Sequence, residues 1–443
     1  MAKRKVVIIG AAGRDFHNYN MFFRGNADYN VVAFTAAQIP GIASRKYPKE
    51  LAGRGYPNGI PILPEQKLAD IIKKLKVDVA VMSYSDLSHI EVMHKASIAN
   101  AAGADFWTMG TTATMLKSKK LVISVCAVRT GAGKSPTSRA VIDILRKVRP
   151  GLRIAVIRHP MPYGDLVKQN VQRFTSIEDM KKANCTIEEM EEYLPHIERG
   201  TIIYAGVDYE KILRAAEKEA DLIIWDGGNN DLPFIQPDLH IVVADALRPG
   251  HEVSYYPGEA NFRMADVIVI NKVGEARPED VDLIARNAKI ANPGAKLIKA
   301  DLRLILENGA ALRGKRVLVV EDGPTLTHGG MNTGAGTVAA LAAGAYTINP
   351  REYAVGSIKQ VFEDYPHIGA ILPAEGYSRA QLADLEATIN GTPCDLVVIG
   401  TPVDLRKVIH MNKPAVRVTY ELKEISRPGL DEILREFLRK GGK

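Results

Sequence analysis

Short apolar runs recur along the chain at intervals that usually leave room for one helix between them. They lie at residues 5–9, 31–34, 77–82, 121–128, 153–157, 221–225, 240–244, 266–270, 296–299, 316–320, 369–372, 395–399 and 415–418. Within them Val and Ile follow one another without polar alternation, as in Val6-Val-Ile-Ile9 and Val267-Ile-Val-Ile270. Continuous runs of this kind belong to strands buried on both faces, the condition of parallel strands covered by crossover helices. The pattern predicts a succession of βα units, hence an α/β chain with doubly wound sheets.

At 443 residues the chain is too long for one compact core. Residues 1–118 are expected to form a Rossmann-like N-terminal domain. Residues 119–312 would form a P-loop nucleotide-binding domain with a parallel sheet. Residues 313–443 would form a C-terminal α/β portion, either separate or extending the P-loop sheet. The polar and basic stretch 111–120 marks the first division, and Asn308-Gly-Ala-Ala-Leu-Arg-Gly314 the second. Near the end, Leu430, Ile433, Leu434, Phe437 and Leu438 make an apolar helical stripe. Its polar face mixes Asp431, Glu432 and Glu436 with Arg435, Arg439 and Lys440, so docking on the protein's own sheet is expected rather than a lipid surface.

Composition adds exclusions. With 46% hydrophobic and 25% charged residues, neither disorder nor a fibrous architecture is suggested. The net charge of +7 is spread without any block of like charges, so no nucleic-acid arm is expected, and an anionic small molecule explains the surplus as well. The apolar run after Met1-Ala-Lys-Arg-Lys5 is too short for a signal peptide, and no stretch reaches the ~20 residues that span a bilayer, so no membrane partner is expected. Cys126, Cys185 and Cys394 lack any C-x-x-C spacing, which argues against a zinc site or disulfide framework and for a reducing cytoplasm.

The strongest chemical signal follows the run 121–128: Arg129-Thr-Gly-Ala-Gly-Lys-Ser135, then a helical stretch from Pro136. Phosphates need backbone N–H groups aimed inward at a helix N-terminus, and Gly131 and Gly133 permit that close approach. Thr130, Gly131, Ala132, Gly133, Lys134, Ser135 and Pro136 are therefore the candidate nucleotide-binding residues, Lys134 reaching the β- and γ-phosphates and Ser135 ligating Mg²⁺. The form with an early basic residue, Arg129, resembles the deviant loops of MinD-type ATPases, dethiobiotin synthetase and the signal-recognition GTPases. Asp226, at the end of the run Leu222-Ile-Ile-Trp225, is the candidate carboxylate for the metal. Asn271-Lys-Val-Gly-Glu275 resembles the base-reading N-K-x-D motif of GTPases, but Gly274 stands where its Asp would be. ATP is favoured, with Asn271 and Lys272 as candidate nucleotide contacts.

Basic and hydroxyl residues collect at other strand ends, where ligands bind in open α/β sheets. They are Arg14 and His17, Arg158 and His159, Asp245, Arg248 and His251, Arg263, and Asp322, Thr325, Thr327 and His328. Arg14, His17, Arg158, His159, Arg263, Thr327 and His328 are candidates for binding an anionic substrate; Lys134, Arg129, Asp226, Arg248 and His251 are the catalytic candidates. Gly10-Ala-Ala-Gly13 lacks the third glycine of a dinucleotide fingerprint, and Thr35 stands where its acid is expected, so NAD is not expected there.

Taken together, Gly10-Ala-Ala-Gly-Arg-Asp-Phe-His-Asn18, the loop 129–135, Trp225-Asp-Gly-Gly-Asn-Asn230, Ala244-Asp-Ala-Leu-Arg-Pro-Gly-His251 and Glu321-Asp-Gly-Pro-Thr-Leu-Thr-His-Gly329 resemble the cyclic 2,3-diphosphoglycerate synthetase family over nearly the whole chain. The resemblance implies ATP- and Mg²⁺-dependent closure of 2,3-diphosphoglycerate to a cyclic phosphoanhydride with release of ADP and phosphate, in an archaeal or thermophilic cytoplasm. A homodimer is expected, since the extra basic residue of the deviant loop can act across a subunit interface. The rival readings are a GTPase or small-molecule kinase of the same P-loop class, and a MinD-like ATPase switch.

Overall fold

The computed structural model describes residues 2–11, 13–36, 45–159, 164–227, 231–327, 331–374 and 379–441. Two large parallel-stranded sheets carry the chain. The first has six strands in the order Lys46–Tyr47, Ile60–Pro64, Tyr29–Ala36, Arg4–Ile9, Val79–Met82 and Asp105–Thr108, all parallel except the two-residue edge strand. Val6 to Ile9 and Val79 to Met82 are buried on both faces, as their unbroken apolar runs require. A capping box between Ser88 and Glu91 starts the helix His89–Ala101 that covers this sheet.

The second sheet has thirteen strands. The half that carries the loop 129–135 runs Gln172–Phe174, Ile202–Ala205, Ile154–Arg158, Leu222–Asp226, Leu121–Ala127, Leu239–Asp245, Val267–Asn271 and Lys296–Leu306. Lys296–Leu306 is longer than its apolar run suggested. Its first residues pair in parallel with Val267–Asn271, and Ala300 to Leu306 then pair antiparallel with Ala415–Glu424. Beyond that pair the sheet continues through Leu396–Ile399, Arg316–Asp322 and Tyr346–Thr347, with Leu372–Ala374 also against Arg316–Asp322. The ladder is amphipathic, with partly exposed positions alternating along both strands, whereas the central strands 121–127, 222–226, 239–245 and 267–271 are buried throughout or nearly so.

The terminal helix Leu430–Gly441 buries Leu430, Ile433 and Leu434 in the core beneath the phosphate-loop strand, with Phe437 and Leu438 against it. Its apolar stripe is thereby covered by the protein itself. Among the described residues no helix is long and apolar enough to cross a membrane.

Candidate active site

The site begins with the buried strand Leu121–Ala127, held between Leu222–Asp226 and Leu239–Asp245. The chain turns through Gly131 (φ 80°) and Gly133 (φ 106°) into the fifteen-residue helix Lys134–Val148. Pro136 in its first turn has no N–H to leave unsatisfied. A side chain at Gly133 would be strained at that φ, and its Cβ would overlap the Asn271 amide. Asn271 is fully buried, and its Nδ2 donates to the Ala132 carbonyl at 2.9 Å. Its amide is thus engaged by the loop's backbone from below rather than held out toward a base.

Lys134 Nζ donates to Asp226 Oδ1 at 2.7 Å. The other oxygen of that carboxylate meets Arg158 at 2.5 Å and His196 Nε2 at 2.9 Å. Asp226, Arg158 and His196 are all essentially sealed from solvent. Burial alone would raise the Asp226 pKa, but Arg158, Lys134 and His196 hold it well below the usual carboxylate range. Lys134 moves the other way: burial, with Arg158 adding to it, lowers its pKa to about 8 despite Asp226. Arg158 also pairs with Glu192 of the helix Ile187–Ile197, the helix that carries His196.

Arg129 is held within its own chain. Its Nε donates to Asp86 at 2.6 Å, a terminal nitrogen donates to His251 Nδ1 at 2.9 Å, and the guanidinium lies 3.8 Å from the Tyr255 ring centroid. Asp86 sits in the left-handed region at φ 67°, an unfavourable backbone for a non-glycine residue. The strands Leu87–Ser88 and Tyr255–Tyr256 pair antiparallel beside it, joining the N-terminal unit to the P-loop unit. Arg248 donates to the Thr130 carbonyl at 2.6 Å and, with Lys272, grips Asp245. Burial opposes the Asp245 charge, yet these two cations keep its pKa lowered. Burial, then Arg129 and Arg248, lower that of His251.

The loop forms one wall of a cleft of about 330 Å³. Arg129 to Gly131, Gly133 to Pro136, Arg139 and Lys272 line that side. The same cleft is lined by Glu191, Glu192, Glu321, Asp322 and Tyr420, from three separate parts of the chain. Glu321 is buried; it accepts from the Gly336 and Thr337 N–H groups and the Thr337 hydroxyl, in a space that Gly334 and Gly400 leave open by lacking a Cβ. Burial raises its pKa in spite of those bonds.

A curated protein, "Arginine synthetase ArcE" of Thermococcus kodakarensis, is 59% identical over 438 residues, covering 99% of this chain and 97% of its own length. The chain belongs to the arginine synthetase family. No protein-family model matches it. Among solved structures, LpxK from Aquifex aeolicus in complex with ATP aligns with TM-score 0.46 at 12% identity, covering 80% of this chain and 95% of that one. A ParA family ATPase from Chlorobium tepidum aligns at TM-score 0.19 and 14% identity, over 41% of this chain and 73% of that one. Neither score is high enough to support a shared fold.

For this arginine synthetase family member the expected site residues fall into two sets. Lys134, Ser135, Arg129, Thr130, Gly131, Gly133, Pro136 and Lys272 line the cleft; Ala132, Asn271, Asp226, Arg248 and His251 hold the loop or its cations in place. Of the substrate candidates, Arg14, His17 and His159 come together around the Phe234 ring, and Arg263 stands apart from them. Arg14 is buried against the Leu232 carbonyl and the Thr114 hydroxyl, and His17 donates to the Thr114 carbonyl while stacking on Phe234 at 4.0 Å. Arg263 is exposed and paired with Glu259. His159 lies 3.5 Å from Asp231, Thr327 caps the Gly323 carbonyl, and His328 lies outside the described residues. Arg158 alone of that set reaches the phosphate loop's network.

His196, Arg139, Glu191, Glu192 and Tyr420 had no distinguishing local signal. Asp301 had one in negative form: its carboxylate occupies the space into which a side chain at Gly274 would project. The acid missing from the N-K-x-D pattern is replaced in space by one from the next strand. Were Mg²⁺ to bind, Ser135 at the helix start and Asp226 would be its protein donors, with the remaining ligands supplied by phosphates and water.

Proposed function

We propose that this chain is an ATP-dependent synthetase that makes arginine, with Mg²⁺ at the phosphate loop. The observation that carries the reading is one cleft lined both by a phosphate-binding loop and by Glu191, Glu192, Glu321 and Asp322. The loop suits a triphosphate; the carboxylates suit a cationic group such as a guanidinium or an ammonium ion. The name of the 59% identical relative supports arginine as the product.

The chemistry follows from what a guanidinium requires. Its last C–N bond can be made from a ureido group, whose oxygen is a poor leaving group. Transfer of the γ-phosphoryl of ATP to the ureido oxygen of citrulline would give an O-phosphoisourea and ADP. Ammonia then attacks the central carbon, the C–O bond breaks, and inorganic phosphate departs with the electron pair, leaving arginine. Lys134 would neutralise the transferring phosphoryl group, the loop N–H groups would hold the β-phosphate, and the carboxylates would gather the positive charge that develops on the product. Mg²⁺, when bound, would screen the triphosphate oxygens.

A second reading, cyclisation of 2,3-diphosphoglycerate, is favoured by the motifs at residues 10–18, 244–251 and 321–329. It shares the release of ADP and phosphate but needs cations around a polyanion. Here Arg158 pairs with carboxylates, Arg248 grips Asp245, and Arg14 and His17 are buried, which makes it the weaker of the two. One experiment separates them: Mg-ATP with citrulline and ammonium, or with 2,3-diphosphoglycerate, followed by ³¹P NMR and mass spectrometry. Arginine formed in step with ADP supports the first reading. Its absence, with a new phosphoanhydride resonance from 2,3-diphosphoglycerate, would replace it by the second. A homodimer in a cytoplasmic compartment accompanies either proposal, and light scattering tests the dimer.

A further inference from the structure

We infer that His196 is a positioning residue for Asp226, holding that carboxylate in register for the metal that accompanies the nucleotide. The inference rests on reading the loop as a Mg-ATP site and is independent of which acceptor is used. In the structure Asp226 Oδ1 belongs to Lys134, and Oδ2 to Arg158 and His196. A triphosphate in the loop draws Lys134 toward the β- and γ-phosphates, which releases Oδ1. Something must then keep the carboxylate from turning after the lysine.

Arg158 holds Oδ2 but is shared with Glu192. Among the described residues His196 is not shared, and its buried Nδ1 has no hydrogen-bond partner, so the ring's single proton belongs on Nε2, where the carboxylate can accept it. Tyr193 and Leu194, buried on the same helix, anchor the segment that carries the ring. The donor is therefore fixed in direction, and it leaves Oδ1 facing the loop once Lys134 moves. The same helix presents Glu191 and Glu192 to the cleft, so a single element sets both the metal's carboxylate and part of the acidic lining.

The test uses the full chain and a fluorescent ATP analogue, titrated without metal and then across Mg²⁺ concentrations. His196→Phe keeps the ring volume and removes the donor. It should leave metal-free binding unchanged and raise the Mg²⁺ midpoint about 10–100-fold, the usual loss when an outer partner of a metal ligand is removed. His196→Gln, whose amide reaches the place of Nε2, should restore the midpoint. An unchanged midpoint in His196→Phe, an equal loss of metal-free binding, or a Gln variant no better than Phe would each overturn the assignment. If His196→Phe does not fold, His196→Met against His196→Gln decides on the same terms. Wild-type binding that ignores Mg²⁺ would instead remove the Mg-ATP reading, and the role of His196 with it.

Discussion

Replacing Asn271 asks whether the residue reads a base or holds the loop. Its Nδ2 donates to the Ala132 carbonyl at 2.9 Å, both groups are buried, and the amide packs where a Cβ on Gly133 would lie. Asn271→Ala leaves that carbonyl unsatisfied in the ligand-free protein and frees the loop to leave its nest. Losing one such buried bond costs about 1–3 kcal/mol, or roughly 5- to 150-fold in Kd if the whole cost falls on the binding-competent loop. Asn271→Asp should do worse, since it sets a carboxylate oxygen against the carbonyl. The discriminating assay is calorimetric titration with ATP, GTP and inorganic tripolyphosphate, the last having no base. Equal factors for all three are expected. If tripolyphosphate binds Asn271→Ala as it binds wild type while ATP is weakened, Asn271 is a base contact and the buttress argument fails.

Asp301→Ala should behave in the opposite way, weakening nucleotides, GTP at least as much as ATP, and sparing tripolyphosphate, because Asp301 takes the space of the acid that reads guanine; an equal loss for tripolyphosphate would sink this. Burial lowers the Lys134 pKa to about 8, and phosphates need its cation, so ATP affinity should fall toward about tenfold per pH unit above that pH. A Kd unchanged a full unit higher would contradict the linkage. Arg129→Ala should lower kcat far more than it weakens ATP binding, whereas equal losses would make Arg129 scaffold. A double-mutant cycle of Arg129→Ala with Asp86→Asn, read by denaturant unfolding, should give a coupling of about 1.5–3 kcal/mol for this charge-assisted bond, and no coupling would dissolve the contact.

What could be read from the chain were features written in consecutive residues. Gly131, Gly133, Lys134 and Ser135 announce their task because a phosphate loop is local: one strand, one turn, one helix start. Asp226 was legible because it ends an apolar strand. Of the acidic lining only Glu321 and Asp322 stood out, as the start of a strand-end motif; Glu191, Glu192 and Tyr420 lie far from them in sequence and look like ordinary surface charge or strand residues until the sheet brings them together. His196 stands in a helix rich in glutamates, where no pattern marks it as the partner of Asp226. The strands Ile60–Pro64 and Ile202–Ala205 escaped notice because the first contains two prolines and the second is four residues long. The antiparallel continuation of Lys296–Leu306 alternates polar and apolar positions, so only its opening residues matched a pattern tuned to parallel strands.

That antiparallel continuation limits how the enzyme can move. Seven residue pairs, from Ala300–Glu424 to Leu306–Val418, zip the phosphate-loop half to the half that carries Glu321. A clamshell closing on ATP would need its hinge along this line, and bending there would tear a continuous hydrogen-bonded ladder. The two parts of the cleft's lining are thereby tied together by this ladder. Closure to water is then expected from pieces laid over the sheet other than the helix Ile187–Ile197, whose Tyr193, Leu194 and His196 are buried.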